Sequence, residues 1–144
     1  MLIETRITID AAVGVVWDAL LAYDRYASWN PYLVHVDGRP IGGTSVRVHA
    51  LTPPSPEPLV QDVSVVSVEP FTMRWEGGLS DRSRFRGDHW WVLGATDAGC
   101  VLDHFERFEG ALAATILDQH GGTIRNNFER FNHALKTHVE GMSR

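Results

Sequence analysis

The sequence has almost no cysteine and no dense cluster of basic residues. Cys100 is the one cysteine among 144 residues, which excludes an internal disulfide and a cysteine-based zinc site. A lone cysteine is compatible with a reducing compartment, so we expect a cytoplasmic protein. Eighteen acidic residues outnumber thirteen lysines and arginines, giving a net charge of −5. We therefore expect no nucleic-acid partner.

Long apolar runs and common catalytic motifs are also missing. No stretch approaches the roughly 20 apolar residues of a membrane span, and the first six residues already include Glu4 and Arg6. We expect no membrane insertion and no signal peptide. The sequence has no Gly-x-Ser-x-Gly elbow, no phosphate-binding Gly-Lys motif and no His-Glu-x-x-His motif. We expect no cofactor and no metal ion.

What the sequence does have is a large share of apolar and aromatic side chains. Hydrophobic residues make up 44% of the chain, and five Trp, six Phe and three Tyr are among them. A chain of this length is close to the usual size of one domain, so we predict a single domain over residues 1–144. The many rings indicate a lined cavity, with an ordinary aromatic core as the alternative.

Hydrophobic periodicity predicts the order of helices and strands. Period-two alternation over Leu2–Ile9 predicts a first strand, and Asp10 is the predicted N-cap of a helix that ends near Leu21. A short helix over residues 24–29 follows, and then strands over about 32–36, 46–50, 59–68, 73–76, 84–93 and 101–108. After Gly110, apolar residues recur every three or four positions, which predicts a long helix softened at Gly121-Gly122. This order predicts an α+β fold with the helix against a curved antiparallel sheet.

Four segments carry a resemblance to a known family. They are Asp10-Ala11, the run from Tyr23 to Pro31 (YDRYASWNP), Gly87-Asp88-His89, and the run from Leu102 to Gly110 (LDHFERFEG). Together they resemble the polyketide cyclase/dehydrase branch of the START-like (SRPBCC) superfamily over nearly the whole chain. The family pattern usually has proline where this chain has Ala12 or Ala27, a departure that affects local turns.

The resemblance implies a helix-grip fold. In that fold about seven antiparallel strands wrap around a long C-terminal helix and leave an apolar cavity between them. Members of the superfamily range from lipid carriers and hormone receptors to aromatase/cyclases. The resemblance therefore implies ligand binding, and it does not choose among these activities.

The last predicted hairpin gathers polar residues on an apolar face. A loop centred between Gly94 and Gly99 would pair His89 with His104 and place Glu106 opposite Gly87, two positions along the same face. Trp91 would lie opposite Leu102, and further apolar residues on this face predict that it is the concave one. Polar groups in such a place need partners, because burying one without a hydrogen bond costs roughly 1–3 kcal/mol.

Three hypotheses remain open for His89, His104 and Glu106. They could form a structural hydrogen-bond network, as buried polar groups commonly do. They could recognise a ligand or act as catalytic residues, since histidine titrates near neutral pH and a carboxylate can fix its tautomer. Two histidines and a carboxylate are also a set that binds non-haem metal ions.

A wider set of residues is predicted to bind the ligand from the sheet and the C-terminal helix. The alternatives are a core position for Trp75, a packing role for Trp29 and a helix-surface position for His120. His35, His49, His133 and His138 receive no role. The predicted ligand-binding residues are Trp29, Trp75, Phe85, Trp91, Leu102, Phe108, Leu117, His120, Ile124 and Phe128.

The sequence thus predicts a protein, monomer or homodimer, that binds a small hydrophobic ligand. Aromatic, polyketide-like and lipid-like ligands all fit, and cyclase or dehydratase acid/base chemistry is an extension of this prediction. The alternative is a non-enzymatic stress-response or co-chaperone-like interaction domain. A cavity of a few hundred Å³ distinguishes the first hypothesis from the second, which requires a filled interior.

Overall fold

The computed structural model describes residues 1–142 and contains one sheet and two α-helices. All neighbouring strands are antiparallel, and their order across the sheet is β1-β7-β6-β5-β4-β3-β2. The elements are β1 (Leu2–Ile9), α1 (Val13–Leu21), a 3₁₀ helix (Tyr23–Ser28), β2 (Leu33–Asp37), β3 (Ser45–Ala50), β4 (Leu59–Glu69), β5 (Thr72–Gly78), β6 (Arg86–Thr96), β7 (Gly99–Glu109) and α2 (Ala113–Met142). The predicted α+β helix-grip fold is confirmed.

The start of α1 differs from the prediction. The helix begins at Val13, and Ala12 occupies the N-cap position without a side-chain hydrogen bond. Asp10 is instead tied to the far end of α2, because its backbone N–H donates to Glu140 Oε2 at 2.8 Å. Asp10 thus makes a tertiary contact through its backbone and does not occupy the N-cap position.

Helix α2 crosses the concave face of the sheet. Its buried stripe contains Phe128, Phe131, Leu135 and Val139, and Lys136 Nζ donates to the Thr8 carbonyl at 3.0 Å. The helix continues through both glycines near its middle. Glycine costs about 1 kcal/mol relative to alanine inside a helix, and packing of the flanking apolar stripe outweighs that cost. Among residues 1–142, no helix is long and apolar enough to cross a membrane.

In the β6–β7 hairpin the side chains point to the predicted faces of the sheet, but different residues lie opposite each other than predicted. Thr96 pairs with Gly99, so the loop shrinks to two residues. The register is therefore displaced by two positions from the prediction: His89 lies opposite Glu106, and Trp91 lies opposite His104. Because side chains alternate with a period of two, a two-residue displacement leaves every side chain on its predicted face. His89 and His104 are accordingly buried.

Buried apolar residues form two clusters under the sheet. The larger one surrounds Trp91, Phe131 and Leu135, and the smaller one contains Ile3, Phe108, Ala113 and Phe128. Tyr32 packs against both clusters. The candidate site lies where the two clusters meet.

Candidate functional site

A cavity of about 310 Å³ lies between the sheet and the N-terminal half of α2. Its wall is largely apolar, with Glu106, His89, Gln61 and Tyr32 as its polar or amphipathic members. The lining residues are Tyr32, Leu33, Val48, Leu59, Gln61, Val63, Trp75, Gly77, Gly78, Leu79, Phe85, Gly87, His89, Glu106, Phe108, Ile116 and Ile124. Size and lining match those of small-molecule sites, which range from about 300 to 1,000 Å³.

One side of the cavity wall reaches solvent. Leu59 and Leu79 line the cavity and are 67% and 41% exposed. Leu59 is the first residue of β4 and directly follows the proline-rich connection, and Leu79 follows the end of β5. Exposed apolar side chains at this edge give a hydrophobic ligand a route into the cavity that is itself apolar.

Glu106 owes its position to a missing side chain on the next strand. A Cβ atom added at Gly87 would lie 2.2 Å from Glu106 Oε2, far inside van der Waals contact. The glycine therefore leaves the space that the carboxyl group occupies. From there, Glu106 Oε1 lies 3.7 Å from His89 Nδ1, directly across the β6–β7 pair.

The two histidines bind each other. His89 Nε2 lies 2.7 Å from His104 Nε2, and His104 Nδ1 lies 2.7 Å from Asn132 Oδ1 on α2. Glu106, His89 and His104 thus form a row that runs from the cavity wall into the core. His104, at the inner end, is fully buried.

A closed ring of hydrogen bonds fixes the tautomer of His104. Asn132 Nδ2 donates to Thr5 Oγ1 at 2.9 Å, and the Thr5 hydroxyl donates to the His104 carbonyl at 2.7 Å. The Asn132 amide oxygen must therefore accept from His104, which carries its proton on Nδ1. In the neutral ring, Nε2 is then an acceptor, so His89 Nε2–H donates to it and His89 Nδ1 presents a lone pair toward Glu106.

Burial favours the neutral form of all three side chains. It lowers the pKa of His104 to about 3, and burial together with the neighbouring His104 lowers the pKa of His89 well below its usual value. Burial, reinforced by the charge of Asp88, raises the pKa of Glu106 to about 8. Near pH 7 the site therefore presents a carboxylic acid beside an imidazole lone pair.

Aromatic rings hold the imidazoles in place. The Trp91 ring stacks on His89 with centroids 3.9 Å apart, and the Phe128 ring stacks on His104 at 4.4 Å. Trp91 comes from β6 and Phe128 from α2, so the sheet and the helix both restrict rotation of the pair. Rings fixed in this way keep the Glu106–His89–His104 row aligned.

Several predicted ligand-binding residues do line the cavity. These are Trp75, Phe85, Phe108 and Ile124, together with His89 and Glu106 from the predicted catalytic trio. Trp75 is also held from behind, because its Nε1–H donates to the Tyr23 hydroxyl at 3.0 Å.

The structure places the other predicted residues elsewhere. Trp91 and Leu102 are fully buried in the larger cluster. Phe128 belongs to the smaller cluster and Leu117 packs against it, while His104 lies one layer behind the wall. His120 lies on the exposed side of α2, because the continuous helix turns it away from the sheet.

Trp29 also lies away from the cavity and has a packing role. It stacks on His138 with centroids 5.4 Å apart, while Asn30 Oδ1 accepts the N–H groups of Tyr32 and Leu33 and so forms the turn before β2.

The predictions from the sequence did not include the cavity-lining residues of strands β2 to β4. Leu33, Val48 and Val63 lie on the inward-facing side of their strands, so their alternation was a usable signal. Tyr32 precedes β2 and lies outside that pattern. Burial and the nearby Glu106 raise the pKa of its phenol, which stays protonated in the cavity wall.

The trio does not converge as a metal-binding triad. His104 uses both ring nitrogens, one toward Asn132 and one toward His89. His89 has only Nδ1 left to face Glu106, so two potential ligand atoms remain instead of three. The arrangement is suited to hydrogen bonding and proton exchange rather than to holding a metal ion.

Solved structures with this fold cover the whole chain at low sequence identity. A protein from Mesorhizobium loti, MLL2253, is 16% identical with a TM-score of 0.76, covering 100% of this chain and 99% of its own. A second, Ara h 8.0201, is 13% identical with a TM-score of 0.76, and 98% of each chain is covered. A third is the di-domain ARO/CYC StfQ from the steffimycin biosynthetic pathway, 12% identical with a TM-score of 0.78; 99% of this chain aligns with 51% of StfQ.

No curated protein matches the chain. One family profile, described as "Polyketide cyclase / dehydrase and lipid transport", matches residues 2–140. Its span includes α1, all seven strands, α2 except its last two residues, and every residue of the cavity wall. The chain therefore belongs to the polyketide cyclase/dehydrase and lipid transport family.

Proposed function

We propose that this protein binds a small aromatic or polyketide-like ligand in the cavity, with an oxygen atom of the ligand directed at Glu106. The observation that carries the proposal is the Glu106–His89 pair in the wall of a largely apolar cavity of about 310 Å³. Family membership supports a hydrophobic ligand. The polar pair adds an orientation, because a buried acid needs a hydrogen-bond partner when the ligand displaces water.

The volume limits the size of the ligand. A water molecule occupies about 30 Å³ in the liquid, so the cavity holds about ten such units. A covalently bonded molecule packs more densely, which allows on the order of ten to fifteen non-hydrogen atoms. One or two fused rings with a carbonyl or hydroxyl group satisfy this limit. A long lipid chain would have to extend past Leu59 and Leu79 into solvent.

The same pair supports acid/base catalysis as a second candidate function. The pKa of Glu106, about 8, is close to neutral, where a general acid is most effective. In a cyclisation with dehydration, His89 Nδ1 would accept the proton from an acidic C–H group. The neutral Glu106 would protonate the departing hydroxyl, so that water leaves as the carbon–carbon double bond forms.

The cavity favours these candidates over a non-enzymatic interaction domain. An interaction domain binds its partner through an exposed apolar groove and does not require an internal cavity. The cavity here combines an apolar wall with an ionisable pair, the usual composition of a ligand site.

Blocking the cavity tests the binding proposal. Ile124 lines the cavity from α2, so Ile124→Phe should fill part of the volume and weaken binding of naphthol, a two-ring phenol, by at least about tenfold. Ile124→Leu keeps the volume and serves as the control. Titration calorimetry on both folded variants measures the difference. Equal affinity of the wild type and Ile124→Phe would place the ligand elsewhere and overturn the proposal.

Glu106→Gln separates binding from catalysis. Glutamine keeps the shape and the hydrogen-bonding capacity of the neutral acid but cannot give up its proton. If Glu106 is catalytic, turnover of a cyclising polyketide substrate should fall by about 100-fold or more while affinity changes little. If Glu106 only recognises the ligand, affinity changes instead. A change in thermal stability alone would assign the residue to a structural network.

A further inference from the structure

A second cluster of metal-ligating side chains lies on the outer face of the sheet, away from the cavity. His35 and Asp37 alternate along β2 and therefore share a face, and His49 on β3 lies directly opposite His35. Inward-facing Val36 and Val48 flank them along the two strands and are buried. His35 and Asp37 are exposed and His49 is half-buried. Sequence analysis assigned these residues no role.

The distances within this cluster suit a tetrahedral ion. Asp37 Oδ1 lies 2.8 Å from His35 Nε2, and Asp37 Oδ2 lies 3.9 Å from His49 Nε2. One ligand atom from each residue lies within 4.8 Å of the others. Two ligands about 2.0–2.1 Å from a zinc ion at the tetrahedral angle are about 3.3–3.4 Å apart. The observed separations lie on either side of that value, so small side-chain rotations would bring the three atoms into position.

The hydrogen bonds of the neighbouring Arg47 go to another carboxylate and not to Asp37. Arg47 lies opposite Asp37 in the β2–β3 register, yet its guanidinium pairs with Asp62 on β4, with Nε 2.9 Å from Oδ1. The His35 and His49 rings lie edge to face with centroids 5.0 Å apart.

We propose that His35, Asp37 and His49 form a binding site for a divalent transition-metal ion, for which Zn²⁺ is the natural probe. Two imidazoles and one carboxylate are ligands that zinc accepts readily, with water completing the tetrahedron. The ion would link the edge strand β2 to β3. Leu33 on β2 and Val48 on β3 line the cavity, so metal binding would stiffen one wall of the ligand site from outside.

Zinc titration of the untagged full-length protein tests this site. Calorimetry should show saturable binding of one ion per chain. Loss of a residue that merely orients a metal ligand costs about 10–100-fold in affinity, so His35→Gln and His49→Gln should each weaken binding by at least about tenfold. His120→Gln alters an exposed histidine on α2 and should leave the affinity unchanged.

A second measurement shows whether the variants remain folded. Zinc should raise the melting temperature of the wild type and of His120→Gln, because an ion that binds the native state stabilises it. It should not raise that of the His35→Gln/His49→Gln double variant, whose melting temperature without zinc should be close to that of the wild type. Equal zinc affinity in the wild type and the double variant, or no saturable binding to the wild type, would overturn the proposal.

Discussion

His104 Nε2 accepts a hydrogen bond from His89 Nε2 across 2.7 Å in the centre of the protein. The direction of this bond is set on the far side of His104, where Asn132 Oδ1 accepts from Nδ1. Thr5 and the His104 carbonyl complete the ring that orients the Asn132 amide. A structural ring in the core thereby determines which atom of His89 faces the cavity.

The first prediction concerns this tautomer. In long-range ¹H–¹⁵N spectra, His104 should carry its proton on Nδ1 and remain neutral down to about pH 5, because burial lowers its pKa to about 3. Most solvent-exposed neutral histidines carry the proton on Nε2, so the signal pattern is diagnostic. Exposed His120 provides the internal comparison. A protonated Nε2 on a neutral His104 would contradict the assigned direction of the hydrogen bonds.

The second prediction concerns stability in alkaline solution. The pKa of Glu106 rises from 4.5 to about 8 on folding, so its stabilising contribution is complete below pH 4.5 and decreases as the pH rises to about 8. The contribution of Glu106 to the free energy of unfolding should fall across this window by an amount on the order of a few kcal/mol. Glu106→Gln lacks this titration and should show a flatter profile in urea unfolding between about pH 7 and 8.5. Parallel profiles for the two proteins would refute the raised pKa.

The two histidines act in the opposite direction on the acid side. Their pKa values are lowered on folding, so the stability they contribute is present above their ordinary pKa near 6.5 and is lost as the pH falls below it. Glu106→Gln keeps both histidines, and its acid limb should therefore retain the steep loss of stability. The loss of stability in acid, which both proteins should show, is the control for the difference expected between them in alkaline solution.

The third prediction contrasts two glycines of the cavity wall. Alanine at position 87 would place Cβ 2.2 Å from the end of the Glu106 side chain, which can swing away into the cavity. Gly87→Ala should therefore fold with a stability change within about 1 kcal/mol but move the carboxyl group away from His89.

Position 78 gives the matched contrast to this variant. Gly78 has φ +139° and an added Cβ would lie 2.3 Å from the Phe85 carbonyl oxygen, which is backbone. Gly78→Ala should cost more than about 1 kcal/mol for that reason. Chemical denaturation measures the stability change in each variant. ¹³C spectra of the Glu106 carboxyl should show its pKa falling toward 4.5 in Gly87→Ala only. An unchanged Glu106 pKa in Gly87→Ala would contradict the prediction.

The fourth prediction tests the ring as a cooperative unit. Asn132→Leu leaves buried donors and acceptors without partners and should cost about 1–3 kcal/mol for each such group. Thr5→Val removes the hydroxyl that accepts from Asn132. In a double-mutant cycle the two changes should show an interaction energy of about 0.5–3 kcal/mol, as expected for residues in one network. Costs that add within about 0.3–0.5 kcal/mol would show that the hydrogen bonds act independently.

Local pattern was sufficient to predict most of the fold. Alternation predicted β1 with both bounds correct, and helical spacing predicted α2 because packing of one apolar stripe holds that helix together. The predicted Asp10 cap is wrong because α1 begins at Val13 with Ala12 as its N-cap, while the Asp10 backbone N–H donates to Glu140, 130 positions away. No local pattern contains such a contact.

The candidate site was harder to predict for the same reason. Alternate residues along β6 and β7 point to the same face of the sheet, so the alternation of apolar and polar residues was enough to predict that His89, His104 and Glu106 point inward. Their pairing depended on a loop only two residues long, which the turn sequence did not reveal. Asn132 belongs to α2 and Thr5 to β1, so their part in the site exists only after the helix has docked on the sheet.

The closed ring at His104 has a consequence for isotope labelling. Because Asn132 and Thr5 are committed to each other and to the His104 carbonyl, a proton that enters the row at His89 meets a dead end at His104. If the site carries out acid/base chemistry, that proton can leave only from Nδ1, the atom of His89 that faces Glu106. In the dehydration, a deuteron taken from the reacting carbon should then pass to the Glu106 carboxylate, which has given its own proton to the departing hydroxyl, and should not reappear in the product.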